Sequence, residues 1–225
     1  MDTGNLDLLP EEVLKEMLML EEQRQRLELR DTAKDNFMEY VMHVYDGFIV
    51  GRHHKIISEK LERIASGDLK RLIVNMPPRH SKSEFASYLM PSWFLGRNPK
   101  LKIIQATMNT ELAVRFGRKV RDLIADPVYH EIFPGTDLKQ DSQAAGRWET
   151  SAGGEYFAAG VGAAMTGRGA DLLIIDDPHS EQDALSSSAY DNTYEWYTSG
   201  PRQRLQPGGS IIIVQTRWSK KDLTG

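Results

Sequence analysis

Lys82-Ser83 and Asp176-Asp177 are the residues of this chain whose types and surroundings could do chemistry together. In "LIVNMPPRHSKS" (72–83) the lysine and serine follow an apolar run, Leu72 to Val74, and a proline-containing turn, and they precede a helical pattern. Strand, loop and helix in that order make a phosphate-binding loop, whose usual pattern is G-x-x-x-x-G-K-[ST]. Met76 and Ser81 stand at its two glycine positions. Such a loop grips phosphate with backbone amides at a helix N-terminus, so it needs the right backbone angles more than it needs glycine. Ser81 must then adopt, at a modest cost, a conformation that glycine reaches freely. On this reading Pro78, Arg79, His80, Ser81, Lys82 and Ser83 face the phosphates, with Lys82 on the terminal ones and the Ser83 hydroxyl on magnesium. The plain alternative is a proline-rich turn with a capping serine.

The acidic pair lies in "GRGADLLIIDDPHSE" (167–181), where the apolar residues Leu172 to Ile175 run directly into Asp176 and Asp177. A hydrophobic strand ending in an acid is how phosphoryl-transfer enzymes present a carboxylate to magnesium. Asp176 takes that role, and Asp177 is in position to align or deprotonate an attacking water. Glu181 is the substitute acid if the chain curls back. Two acids can also merely cap a turn, but together with Lys82-Ser83 they point to ATP hydrolysis with magnesium.

These motifs need elements to carry them. Residues 10–46 and 53–67 read as helical, the second with Ile56, Ile57, Leu61 and Ile64 on one side and Gly67 as its stop. From there strands expected at 71–76, 102–107, 171–176 and 210–216 alternate with helices expected at 82–95, 109–125 and 188–199. A hairpin over 147–160 turns at Gly153-Gly154. Several strands are continuous apolar runs, as in parallel sheets covered on both faces. The predicted fold is α/β, a nucleotide-binding domain with a mainly parallel central sheet flanked by helices, plus an N-terminal helical segment.

The 225 residues suffice for one such domain with a small appendage. There is no cysteine, which excludes disulfides and thiolate metal sites. The N-terminus is acidic without an apolar stretch behind it, against a signal peptide. No apolar run approaches the roughly 20 residues that span a membrane. With a net charge of −4, any nucleic-acid contact must come from local patches.

"RLIVNMPPRHSKS", "ATMNTELAVRFGRKVRDLI", "GVGAAMTGRGADLLIIDDP" and "IIIVQTRW", in this order, resemble the ATPase half of the large terminase subunit of tailed bacteriophages, the motor that pumps DNA into proheads. The resemblance spans residues 45–225, leaving 1–44 as a helical segment without a motif. It implies a P-loop ATPase of the RecA-like type, with Lys82, Ser83 and Asp176 on phosphate and magnesium and Asp177 as catalytic acid. Arg79 corresponds to an arginine inside the loop that couples nucleotide state to motion. Gln215 and Thr216, with Arg217-Trp218 behind them, correspond to a coupling motif that senses the γ-phosphate. The segment "DGFIVGRHHKIISEKLERI" resembles the adenine-contacting region, where Phe48 or Arg52 would stack on the base. Ser81 departs from the glycine common before the lysine.

The same resemblance implies double-stranded DNA, a portal protein and a small terminase subunit as partners, a homo-oligomeric (pentameric) ring on the prohead, no membrane, and work in the host cell cytoplasm. The chain ends at "KKDLTG" without the acidic cluster of the nuclease half, so no DNA cleavage is expected. Other readings are a helicase-like ATPase and a ring component that binds nucleotide without turnover.

Arginines complete the expectations. Arg168, between Gly167 and Gly169, is a candidate finger that stabilises the transferring phosphoryl group, donated to a neighbouring subunit; the alternative is a solvated turn. Arg115, Arg118, Lys119 and Arg121 form a basic stripe on one helix, read as a phosphate track for DNA, a subunit interface or a solvated face. His53 and His54, adjacent on a helix and so pointing apart, are read as a helix start and not as metal ligands. Trp148 and Trp196 are read as core or interface residues.

Overall fold

The expected helix over residues 10–46 is two helices in the computed structural model, which describes residues 10–225. Asn36 interrupts it: its side chain accepts from the Glu39 amide, ending α1 (Glu11–Asp35) and starting α2 (Phe37–Val44). Helix α3 (Arg52–Ser66) stops at Gly67, where φ is 85°. It buries His54, Ile57, Ser58, Leu61 and Ile64, while Ile56 is turned outward and half exposed, contrary to the sequence reading. Positions 54, 57, 58, 61 and 64 follow the three- and four-residue spacing of one helical face, and 56 lies off it.

The sheet has seven strands in the order β1-β7-β6-β2-β5-β4-β3. These are β1 (Arg71–Asn75), β2 (Lys102–Thr107), β3 (Leu138–Ala144), β4 (Arg147–Thr150), β5 (Glu155–Gly160), β6 (Ala170–Asp176) and β7 (Leu205–Gln215). Pairing is parallel from β1 through β5, then antiparallel through β4 and β3. The hairpin of β4 and β5 turns at Gly153-Gly154, with Gly153 at φ 93°, as expected. Strand β3, "LKQDSQA", is an edge strand and largely exposed, so no hydrophobic pattern announced it. Strand β7 begins five residues before the expected 210 because Leu205 pairs with Ala170; the Pro207-Gly208-Gly209 stretch then bulges out before Ser210 rejoins at Leu172.

Helices cover both faces. On one side α1 to α3, α4 (Met90–Arg97), α5 (Thr110–Ile124) and α6 (Pro127–Ile132) bury Phe37, Tyr40, Phe85, Trp93 and Tyr129 against Ile103, Leu172, Ile174 and Ile212. On the other, α7 (Ser187–Ser199) brings Trp196 and Tyr197 against Ile104, Leu173, Ile175 and Ile213. Strand β1 alternates between exposed and half-buried residues because it lies at the sheet edge, so its apolar run is not doubly covered. Trp148 is core: it stacks on Tyr156 at 4.9 Å and donates to the Gly117 carbonyl. No described helix is long and apolar enough to cross a membrane.

Gly117 shows how tightly α5 sits on this core. A Cβ there would lie 2.4 Å from the Ala145 carbonyl oxygen and 3.0 Å from the Tyr156 ring. Gly117→Ala should therefore destabilise the protein by about 1–3 kcal/mol, although alanine favours a helix by about 1 kcal/mol. Urea unfolding of the variant against wild type measures this directly.

Candidate functional site

All five parallel strands point the same way, so the turns after β1, β2, β6 and β7 meet at one edge of the sheet. Such an edge, outside the carboxyl ends of the strands, is where open α/β sheets bind ligands. Register brings the pieces level: Asn75 pairs with Gln215, Asp176 with Val214, and Thr107 with Asp176.

The turn after β1 has left-handed backbone at Arg79 (φ 64°) and Ser81 (φ 61°), then enters a helix at Lys82. Ser81 therefore does adopt the conformation that glycine would supply. The Ser81 carbonyl accepts from the Phe85 amide, and His80 Nδ1 lies 2.9 Å from the Pro78 carbonyl, so the turn is tied at both ends. Left-handed backbone costs a non-glycine residue about 1–2 kcal/mol. Ser81→Gly is expected to keep stability within about 1 kcal/mol, relief of strain offsetting the freer unfolded chain. Ser81→Val should lose more than that, since a β-branched residue tolerates positive φ poorly. Thermal unfolding of both variants measures the difference.

Lys82 is buried, and its Nζ lies 2.7 Å from Asp177 Oδ2. Asp177 has φ 41°; its Oδ1 accepts from the Thr216 amide at 2.8 Å, its own amide donates to Val214, and its carbonyl accepts from Met108. The acid is thus clasped by the turns after β1, β2 and β7. The Ser83 hydroxyl donates to Asp176 Oδ1 at 3.0 Å, and the Ser87 hydroxyl donates to Oδ2 at 2.7 Å. Asp176 is 1% exposed. Burial pushes its carboxyl up to about 7; neighbouring Asp177 adds to this, and the two serines and Lys82 hold it from rising further.

A cleft of about 790 Å³ opens over this edge, lined by Lys82, Asp177, Asn109, Thr216, Trp218 and Glu181 among others. That is ample for a nucleotide-sized ligand. Glu181 borders the cleft and has no ion pair among the described residues, whereas Asp177 is held by Lys82. Met108, Asn109 and Leu112 also border a second groove of about 570 Å³, which runs on to Arg115 and Arg118.

The remaining expected residues divide. Thr216 joins the site through its amide, and its hydroxyl donates to the Met76 carbonyl. Gln215 is buried beneath it and donates to Thr224 at 2.7 Å. Arg217 turns away to Asp222, whose carboxylate also accepts from the Trp218 and Ser219 amides. Burial pushes the Asp222 carboxyl up, but these donors outweigh it and hold it down at about 2. Phe48 packs in an aromatic cluster with Tyr45, His54 and Phe85, while Arg52 is exposed at the start of α3.

His53 and His54 do not point apart, as their adjacency suggested: their ring centroids are 3.8 Å from each other. The reason is local. His54 Nδ1 swings back to accept from the Gly51 amide and so comes beneath His53, serving the helix start. The basic stripe also dissolves. Lys119 is held by both Glu84 carboxylate oxygens and lies over the Tyr88 ring, and Arg121 is bound to Asp122 and the Gln143 carbonyl. Only Arg115 and Arg118 of the four are exposed and without an ion pair among the described residues.

Arg168 precedes β6 and so lies at the opposite end of that strand from Asp176. It is paired with Glu155 and sits over the Phe157 ring at 3.9 Å. It therefore does not reach the Lys82–Asp177 site of its own chain. Sequence reading missed Ser87 and Gln105, although each left a signal: Ser87 is one turn beyond Ser83, and Gln105 interrupts the apolar strand "KIIQAT".

No protein-family model and no curated protein sequence matches the chain. Among solved structures its fold is similar to that in the crystal structure of the HK97 bacteriophage large terminase, at 13% identity and a TM-score of 0.49 over 79% of this chain. The match covers 35% of that protein, so the chain spans about a third of its length.

Proposed function

We propose that the chain is a P-loop ATPase that turns over ATP with magnesium and, as the ATPase half of a large terminase subunit, drives double-stranded DNA into a viral prohead. One observation carries the nucleotide part: Lys82, Ser83, Asp176 and Asp177 converge at one sheet edge, behind a turn whose backbone is left-handed at Arg79 and Ser81. The motor part rests on the motif series in the sequence.

Among the described residues no three histidines or acids cluster as a metal cage. Ser83 and Asp176 fit magnesium, which commonly takes one or two protein oxygens and completes its shell with water and substrate phosphates. When bound there it would neutralise charge on the phosphates. The turn amides of residues 79–83 would cradle the phosphates, and Lys82 would leave Asp177 for the terminal ones. Asp177, released, would align the attacking water; Thr216, bonded to Asp177, would carry the change toward Gln215 and β7. Arg168 would act on a neighbour's site in a ring, and Arg115 and Arg118 would hold the DNA backbone. A pentameric ring, portal and small-subunit partners, and action in the host cytoplasm belong to the same reading.

The test is phosphate release from ATP with magnesium, with and without double-stranded DNA. Wild type is expected to turn over, and Lys82→Ala to lose at least about 100-fold, since lysine contacts charge that develops in the transition state. Arg115→Glu with Arg118→Glu should leave DNA-free turnover intact and weaken DNA stimulation most at low salt, where each phosphate contact contributes most. Binding without turnover, in wild type at high protein concentration with DNA, would favour a ring component that only holds nucleotide.

A further inference from the structure

We infer that Ser87 and Gln105 are positioning residues for the Asp176 carboxylate: together they fix its rotation and so decide which oxygen is offered to a metal. The inference rests on the reading of Asp176 as a magnesium-shell acid and adds residues that no motif assigns.

The geometry begins with an irregular helix. After Lys82 the chain makes a π-helical turn, Glu84–Leu89, before α4 begins. Such turns are rare and concentrate at functional sites. Here Ser83 and Ser87, one turn apart, both reach Asp176, one on each oxygen. A carboxylate gripped on both oxygens cannot rotate.

The second part is directionality. Ser87 is fully buried, and its oxygen accepts from Gln105 Nε2 at 3.0 Å. A hydroxyl has one hydrogen, and the Gln105 donor occupies an acceptor site on its oxygen. The Ser87 hydrogen is therefore directed at Asp176 Oδ2. Gln105 is fully buried in β2, two residues before Thr107, the register partner of Asp176; it shares that sheet face with the carboxylate.

The cost of this arrangement argues for a purpose. A serine and a glutamine lie in an otherwise apolar core beside Phe85, Leu89 and Ile103. Among the described residues the Gln105 carbonyl oxygen has no partner, and neither has the Tyr156 hydroxyl. Apolar residues of the same shape would be cheaper in such a place. What the polar pair contributes is a fixed Oδ2, leaving Oδ1 and the Ser83 hydroxyl as the two oxygens free to exchange their mutual bond for a metal.

The experiment uses the 225-residue chain and measures fluorescent ATP-analogue binding as a function of magnesium concentration, beside metal-free binding and thermal unfolding. Ser87→Ala is expected to raise the magnesium needed for half-saturation by about 10–100-fold, the usual cost of losing a residue that orients a metal ligand. Gln105→Met, which keeps the volume and loses the donor, should raise it in the same direction by a smaller factor. Metal-free binding should be unchanged in both, which a merely structural role would not predict. A magnesium requirement equal to wild type in folded Ser87→Ala overturns the proposal. If Ser87→Ala does not fold, Gln105→Met decides alone by the same criterion. Wild type that binds nucleotide without any response to magnesium overturns the reading of Asp176, and the proposal with it; a wild-type response that both variants share overturns the proposal only.

Discussion

Asp177→Asn is expected to stop ATP turnover while tightening nucleotide binding. In the present state Lys82 is committed to Asp177 at 2.7 Å, with the lysine buried and the aspartate side chain 30% exposed. A nucleotide must break that ion pair before the lysine can reach its phosphates. Asparagine keeps the geometry: it tolerates positive φ better than most residues, and its carbonyl oxygen can still accept from the Thr216 amide. It removes the charge that holds Lys82. Because the pair is partly exposed and worth about 1 kcal/mol or less, nucleotide should bind about two- to fivefold more tightly. Turnover should fall by about 10²–10⁴-fold, the usual contribution of a positioned acid or base. Titration with an ATP analogue beside a steady-state assay separates the two effects. Weaker binding in the variant would show that Asp177 does not compete for the lysine, and undiminished turnover would move the catalytic role to Glu181.

Asp176→Asn should trade function for stability. The metal-free carboxyl is buried and pushed up to about 7 by that burial, against about 3.9 in an unfolded chain. The native state then holds the extra proton between about pH 4 and 7, and stability falls as pH rises through that window. At pH 8 the buried charge costs on the order of 4 kcal/mol before relaxation. Asparagine is neutral throughout, so the variant should melt several degrees higher than wild type at pH 8 and show a flatter pH profile between 5.5 and 8. Lost hydrogen bonds to Ser83 or Ser87 would offset about 1 kcal/mol each. Magnesium-dependent nucleotide binding should disappear, because a neutral amide is a poor partner for a hard dication. Melting curves at pH 5.5 and 8 with chelator present, followed by magnesium titrations, test both halves. A variant less stable than wild type at pH 8 would mean that the fold stabilises the ionised carboxylate, so that burial does not raise its pKa.

Much of this was legible in the residues. Alternating strands and helices foretold a mainly parallel sheet, and the motifs at Lys82-Ser83 and Asp176-Asp177 foretold two strand ends that the fold brings into contact. These are local properties: burial on both faces makes a strand apolar along its length, and a phosphate turn needs its residues consecutive. The sequence alone also showed that glycine was missing at 81. Tertiary structure showed that Ser81 takes the left-handed backbone regardless.

Other features had no local signature. Strand β3 is polar because it lies exposed at the sheet edge, and its strand character comes from pairing with β4. The basic stripe on α5 looked uniform because helical spacing cannot reveal what faces each side chain; Glu84 and Asp122 took Lys119 and Arg121 out of it. Most of all, residues 93 positions apart, Ser83 and Asp176, meet because β7 enters between β1 and β6. Strand order is set by how the helices pack across the sheet, a property of the whole chain. The sequence by itself determined which groups could act; only the folded sheet decided that Lys82 rests on Asp177 and that Asp176 is held from both sides.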